Sequence, residues 1–329
     1  MYSKNLEVAI IGCGYWGTNI IKTLISLKLS KIYCYDNDIK NLKKIKDRFK
    51  KVTICSDLSE ILINNNIKVA FVCVPTSLIY KFAKILIKNK KNVFLEKPVS
   101  KYKHKILELI KLSKNKKVRI MTGYIYVYNR YIRYIKKNII LRNKLGIIKY
   151  IEFNRKNFGP IRNDVSSLWD LASHDLSIIK YLFSGDIKKP KHLKSEITKK
   201  KNFDIYSINF SLKKITVNIN VSWLYPEKVR QILIIGSKKI LMFDELNISS
   251  PVKIFDVIKK YPSARELPSK YFNPQKGISI KKPLIPKFKK FAPLRDELKF
   301  CLENILSKKK IITDGEFSYL ISKNLSKFI

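Results

Sequence analysis

No apolar run in this chain approaches the roughly 18 residues that a membrane-spanning helix needs, so no segment reads as a membrane anchor. Histidine is scarce, with 3 in 329 residues, which leaves few side chains able to carry a proton near neutral pH. The 5 cysteines, Cys13, Cys34, Cys55, Cys73 and Cys301, are odd in number, scattered and never spaced C-x-x-C. That pattern argues against a disulfide framework and against a zinc site, and no metal is expected. The apolar stretch Val8 to Ile11 runs straight into a glycine-rich turn without a small-residue cleavage site, so it does not read as a signal peptide. Reduced thiols in a cytoplasmic protein are the expectation.

Acidic side chains are also few, 25 against 68 basic ones, for a formal net charge of +43. Taken alone, such an excess points to nucleic acid or an anionic membrane. Its make-up points elsewhere. Lysine supplies 58 of the 68 basic residues, in short runs such as 114–117, 199–201 and 308–310, and the 10 arginines are not clustered. Arginine is the residue that grips phosphates and base edges with two hydrogen bonds. The charge therefore reads as a solvated lysine coat, with neither nucleic acid nor membrane as partner, and it favours small anionic substrates.

What is present is patterned. Through the first third, short strands rich in Val, Ile, Phe and Tyr alternate with amphipathic helices. Strands are expected at Glu7–Ile11, Lys31–Tyr35, Val52–Cys55, Val69–Val74, Asn92–Leu95 and Val118–Met121. Nearly continuous hydrophobicity is the mark of strands buried on both faces, and strand–helix alternation predicts a doubly wound parallel sheet, an α/β domain over 1–122. From about residue 147 the period changes. Ile205–Leu212 and Thr216–Trp223 alternate apolar and polar residues around Lys213–Lys214, and Gln231–Ile235 and Lys239–Phe243 flank Gly236–Ser237. Residues 123–329 are thus expected to form an α+β domain on a mainly antiparallel sheet. The second face of that sheet is polar but uncharged, unusual in so lysine-rich a chain, which suggests that another subunit covers it, as in a homodimer or tetramer. Residues 258–293 hold 6 of the 12 prolines and read as an irregular excursion; 294–306 and 316–328 read as helices.

Gly12-Cys13-Gly14-Tyr15-Trp16-Gly17 is a G-x-G-x-x-G loop between a predicted strand and a predicted helix. In that setting the glycines allow a tight turn, close approach of a pyrophosphate to the backbone, and close helix–strand packing. Asp36 follows 24 residues after Gly12, at the end of the next strand, where an acid would accept hydrogen bonds from an adenosine ribose and repel a 2′-phosphate. That favours NAD over NADP. A flavin, a non-redox nucleotide or a purely structural turn are the other readings of the same loop.

Two more features carry chemistry. The strand Asn92–Leu95 ends in Glu96-Lys97-Pro98, which aims a lysine at the crevice beyond the carboxyl ends of the strands. Leu168–Leu176 reads as a helix with Asp170 and His174 four apart on one face, where a carboxylate could orient an imidazole and stabilise its charged form. Set against this, Ser167 with Asp170 also fits a helix-capping pair, and Lys97 is one lysine among 58.

In order and spacing these pieces resemble the Gfo/Idh/MocA family, named for glucose–fructose oxidoreductase and inositol dehydrogenase. The resemblance takes in Gly12 to Gly17, Asp36, Val74-Pro75-Thr76, Glu96-Lys97-Pro98, Gly146-Ile147-Ile148, Asp170-x-x-x-His174, Gly236-Ser237-Lys238 and Thr313-Asp314-Gly315, and it is nearest to members acting on nucleotide sugars in surface polysaccharide pathways. It implies an NAD-dependent dehydrogenase with Lys97, Asp170 and His174 as the catalytic set. Lys97 would hold the reacting hydroxyl and His174 would act as general acid/base. It implies cofactor contacts from Gly12, Gly14, Tyr15, Trp16, Gly17, Asp36, Pro75, Thr76, Glu96 and Lys97. Many members carry a histidine where this chain has Ile79, and His or Phe where it has Tyr124. Tyr124, Arg155, Asn157, Arg162 and Trp169 are the expected substrate contacts. The substrate classes are a UDP-N-acetyl-hexosamine or its uronate, or else an inositol or free sugar. A non-catalytic NAD- or polyanion-binding protein on the same fold is the competing class.

Overall fold

The computed structural model describes residues 6–198, 203–257, 272–273, 277–278 and 282–329. Six short strands, β1 (Glu7–Ile11), β2 (Lys31–Tyr35), β3 (Val52–Ile54), β4 (Ile67–Val72), β5 (Asn92–Leu95) and β6 (Ile120–Thr122), form a parallel sheet in the order β3-β2-β1-β4-β5-β6. Every side chain of β1 is buried, as expected of a central strand covered on both faces. The connecting helices are α1 (Tyr15–Ser26), α2 (Ile39–Arg48), α3 (Leu58–Ile63), α4 (Thr76–Lys88) and α5 (Lys103–Asn115). Asp57 opens α3 as a reciprocal cap with Glu60, supplying acceptors to amides that the helix cannot satisfy internally. The strand order reverses between β1 and β4, and such a switch point opens a crevice beyond the strand ends.

The second sheet has seven strands: β7 (Ile148–Phe158), β8 (Ile187–Ser195), β9 (Ile205–Leu212), β10 (Ile215–Ser222), β11 (Leu224–Gly236), β12 (Lys239–Asp244) and β13 (Val252–Asp256), in the order β13-β12-β11-β7-β10-β9-β8. All its pairings are antiparallel except β7 with β10. The expected hairpin of 205–212 with 216–223 forms with Leu212 opposite Ile215. Its inner face is apolar, with Ile151, Phe153, Ile208, Val217, Ile219, Ile232 and Ile234 buried. On the outer face, polar side chains bond to one another, as where Asn218 Nδ2 donates to the Tyr150 hydroxyl at 2.8 Å.

Between the sheets run α6 (Ile125–Tyr128), α7 (Arg130–Tyr134), a π-helical turn at Leu168–Ala172 and α8 (Ser173–Leu182). The chain then returns to the first sheet through α9 (Pro293–Asn304) and α10 (Gly315–Leu325). Thr122 N donates to Thr313 O at 2.7 Å, Arg119 Nη1 donates to Asn304 O at 2.8 Å, and Gly315 lies so close to Ile110 that a Cβ would come within 2.7 Å of it. One apolar cluster runs from Val8 and Ile20 to Phe153 and Ile234, so the two sheets share a core. The lysine run 199–201, and the excursion expected over 258–293 as far as residue 281, lie outside the described residues save for short strands at Phe272–Asn273 and Gly277–Ile278. No helix among the described residues is long and apolar enough to cross a membrane.

Candidate active site

The glycine loop is built from backbone contacts. Gly12 N donates to Tyr35 O at 2.9 Å, and a Cβ on Gly12, whose φ is +93°, would lie 2.7 Å from Cys73 O. A Cβ on Gly17 would lie 2.0 Å from Gly12 O, so strand and helix touch there as the motif requires. Gly14 instead borders open space. Helix α1 starts there with no side-chain cap and no acid in its first turn, leaving positively polarised amides that suit a bound pyrophosphate.

Asp36 sits at the other side of the loop. Its Oδ2 accepts from Cys13 N at 2.6 Å and its Oδ1 from Asp38 N at 2.8 Å. With Gly12, Gly14 and Pro75 it lines a cavity of about 290 Å³ whose lining includes no cationic side chain. These residues fit the adenosine half of a dinucleotide.

A larger cavity of about 820 Å³ adjoins it and spans both sheets. Tyr15, Trp16, Pro75, Thr76, Glu96 and Lys97 line it from the first sheet's loops, and Tyr126, Arg155, Arg162, Asp170 and His174 from the second part. Trp16 Nε1 donates to Glu96 Oε1, and burial pushes the Glu96 carboxyl up to about 7. Lys97 Nζ donates to the Asp170 carbonyl oxygen at 2.8 Å and to Asp170 Oδ1 at 3.1 Å. Trp223 Nε1 donates to Asp170 Oδ2 at 3.2 Å, and Arg162 Nη1 lies 3.4 Å from Oδ1. Burial works against ionisation of Asp170, yet Lys97 and Arg162 outweigh it and hold the group below the ordinary carboxylate value. Asp164 joins the halves: it accepts from Arg162 at 2.7 Å and from Thr76 N, at the start of α4, at 3.1 Å.

His174 lies in the same cavity, its ring edge-on to Tyr126 with centroids 5.1 Å apart. Its Nδ1 is buried without a hydrogen-bond partner among the described residues. Burial, then Lys97, Arg155 and Arg230, hold its pKa well below the ordinary value. Burial and these cations thus favour the neutral imidazole over the imidazolium. No direct bond links Asp170 to His174 among the described residues: the Asp170 carboxylate engages Lys97, Arg162 and Trp223 instead. The capping role considered for Ser167 fails too: its hydroxyl donates to Phe203 O.

The expected substrate contacts divide. Arg155 and Arg162 line the cavity. Tyr124 and Trp169 do not: both are buried, Tyr124 against Phe317 and Trp169 in the core between the sheets. Asn157 stands behind the cavity, where its Oδ1 accepts from Arg230 Nη2 at 2.6 Å. Tyr126, Lys228, Arg230 and Glu245 line the cavity and went unremarked in the sequence. Arg230 left a signal, since it occupies an inward position in register with Ile232 and Ile234, where a charge breaks the alternation. Among the described residues no three His, Cys, Asp or Glu side chains gather to hold a metal. All five thiols are free.

Comparisons with known proteins agree with this architecture. Residues 6–124 match the model of an oxidoreductase family with an NAD-binding Rossmann fold. Uncharacterized oxidoreductases from Bacillus subtilis (YrbE) and a Synechocystis species (sll0816) are 22% and 24% identical over 56% and 55% of this chain. The chain spans about half the length of these curated relatives, 56% and 52% respectively. Among solved structures, the UDP-N-acetylglucosamine 3-dehydrogenase GnnA of Acidithiobacillus ferrooxidans superposes with a TM-score of 0.81 at 16% identity, covering 98% of this chain and 96% of that one. GenD2 of gentamicin A biosynthesis, in complex with NAD, gives 0.79 at 15% identity over 100% and 94%. An aldose–aldose oxidoreductase from Caulobacter crescentus gives 0.79 at 16% over 98% and 96%. At these identities the likeness is one of fold. Residues 6–124, the part that carries the glycine loop, Asp36 and Lys97, are thus similar to the NAD-binding Rossmann fold of the Gfo/Idh/MocA oxidoreductase family.

Proposed function

We propose that the chain is an NAD-dependent dehydrogenase that interconverts a secondary hydroxyl and a keto group on a sugar-type substrate. The observation that carries this reading is that Lys97, from the end of β5, and His174, from α8, open into one cavity alongside the glycine loop. Bound NAD would supply the hydride acceptor or donor, through the nicotinamide ring. The chain's own residues would do the rest. The Lys97 ammonium would hold the reacting oxygen and stabilise negative charge as it develops there. Asp170 positions that ammonium. The neutral His174 imidazole would take the hydroxyl proton through Nε2 in oxidation and return it in reduction. That no cationic side chain among the described residues lines the cavity beside Asp36 favours NAD over NADP.

A nucleotide sugar, a UDP-N-acetyl-hexosamine or its uronate used in surface polysaccharide synthesis, is the first substrate to try, since one structural neighbour acts on UDP-N-acetylglucosamine. A free sugar is the second, on the strength of the aldose neighbour. The hydrogen-bonded outer face of the second sheet fits a second copy of the chain. The decisive experiment is to record bound NADH by absorbance in the purified protein, then to screen UDP-sugars, aldoses and inositols for cofactor reduction. Protein that binds no NAD, or that keeps full turnover as Lys97→Ala or His174→Ala, would sink this assignment.

A further inference from the structure

Arg155 on β7 and Arg230 on β11 stand directly opposite each other in the antiparallel pairing, and both side chains reach the large cavity. Like charges in that cross-strand relation repel, so each calls for an anion. Arg155 has one: its Nε and Nη2 both lie 2.8 Å from Asp175 Oδ1. Arg230 has none, for no carboxylate oxygen among the described residues comes within 4.0 Å of it. Its Nη1 donates to the carbonyl oxygens of Lys156 and Val229, each at 2.8 Å, and its Nη2 to Asn157 Oδ1 at 2.6 Å. Those three acceptors are neutral. They fix the guanidinium while leaving Nε–H and one Nη2–H without an acceptor among the described residues. Two adjacent N–H groups of a guanidinium are the fork that matches two oxygens of a carboxylate or phosphate. Two carboxylates act on Arg230 through space, and both have other partners: Asp175 is paired with Arg155, and Glu245 Oε2 accepts the Tyr126 hydroxyl at 2.6 Å. Lys228 adds a second, exposed cation to the same wall.

We infer that the open edge of Arg230, with Lys228 beside it, is a subsite for an anionic group, a carboxylate or a phosphate, carried by the substrate. The inference rests on the reading of the large cavity as a sugar site. It adds that the sugar is charged, and that its charge is held on β11, away from the Lys97–Asp170 pair. The guanidinium is locked in place before the ligand arrives, so little ordering is left to offset on binding.

The test is calorimetric and needs no turnover. Glucose, glucuronate and glucose 1-phosphate are titrated into the NAD-loaded wild type and Arg230→Gln. The expected result is that at least one anionic sugar binds roughly tenfold or more tighter than glucose, and that R230Q loses this advantage while its affinity for glucose stays the same. Preference for glucuronate assigns a carboxylate, preference for glucose 1-phosphate a phosphate. Should R230Q fail to fold, Arg230→Lys serves instead. It keeps the charge without the fork and is expected to lose most of the discrimination. Equal affinity for all three sugars in the wild type, no binding of any of them, or unchanged anion affinity in both variants overturns the subsite. None of these outcomes depends on NADH formation, so a failed dehydrogenase assay and a failed anion subsite remain distinct.

Discussion

Lys97 Nζ is held by a single residue from the other part of the molecule, 2.8 Å from the carbonyl oxygen of Asp170 and 3.1 Å from its carboxylate. The ammonium therefore reaches its position through both the backbone and the side chain of Asp170. Lys97→Met should lower kcat by roughly 10²- to 10³-fold, the usual effect of removing one donor to a developing oxyanion. Its NAD affinity should change little, because the glycine loop is untouched. Steady-state kinetics and NAD titration on the same protein check both halves of this expectation.

His174 sets an expected pH profile. Its folded value lies well below the ordinary 6.5, so the neutral, proton-accepting form persists as the pH falls through 6.5 and is lost only below that. Oxidation should show no histidine limb at or above pH 6.5. Stability follows the same sign. A depressed folded value means that the contribution is complete above the unfolded value and is lost as acid protonates the buried ring. Glu96, raised to about 7 in the same cavity, is the group that would put a limb near neutrality. That limb should vanish in Glu96→Gln. His174→Gln itself should cost roughly 10²- to 10⁴-fold in kcat.

Much of the fold could be read from the chain, because the residues that build it repeat. The parallel strands showed as short apolar runs, and the hairpin at Lys213–Lys214 as strict alternation. The site was legible only where a motif has fixed local geometry. Gly12, Gly14 and Gly17 are such a case. Asp170 and His174 stand four apart in the chain, but the turn at Leu168–Ala172 is π-helical, and the Asp170 carboxylate bonds to Lys97, Arg162 and Trp223. Tyr124 and Trp169 lie near the motifs in sequence yet outside the cavity, because adjacency in sequence does not decide which side a ring faces. Tyr126 on α6, Arg230 on β11 and Glu245 just after β12 come together from distant parts of the chain, and beyond the broken alternation at Arg230 no local pattern announces such a meeting.

Asp36 tests the cofactor choice. Its carboxylate holds Cys13 N at 2.6 Å, so Asp36→Ala removes the proposed ribose acceptor and also loosens the loop proposed to hold the pyrophosphate. NAD affinity should fall roughly tenfold or more, given about 1.5–3 kcal/mol for a hydrogen bond to a charged group. NADP affinity should not rise to match, since no cationic side chain among the described residues lines that cavity. Fluorescence titration with both dinucleotides measures the two changes.

The buried pair Arg155–Asp175 and the core residue Trp169 should separate stability from binding. Asp175→Asn leaves a guanidinium uncompensated in a site where Arg155 is 4% exposed. Breaking such a pair costs about 3–5 kcal/mol, which denaturant titration would register. Trp169→Phe should also lower the denaturation midpoint, yet leave the KM for substrate unchanged, because the indole lines no part of the cavity.

The return of the chain through α9 and α10 to the first sheet has a consequence for dissection. The amide of Thr122, the last residue of β6, is held by Thr313, nearly two hundred positions later. A fragment cut after residue 122 would carry the whole dinucleotide motif but would leave Ile110 and Ile120, which Gly315 now covers, facing water. The nucleotide-binding half is thus contiguous in sequence but not self-sufficient, and it is finished only when the last residues of the chain come back to close it.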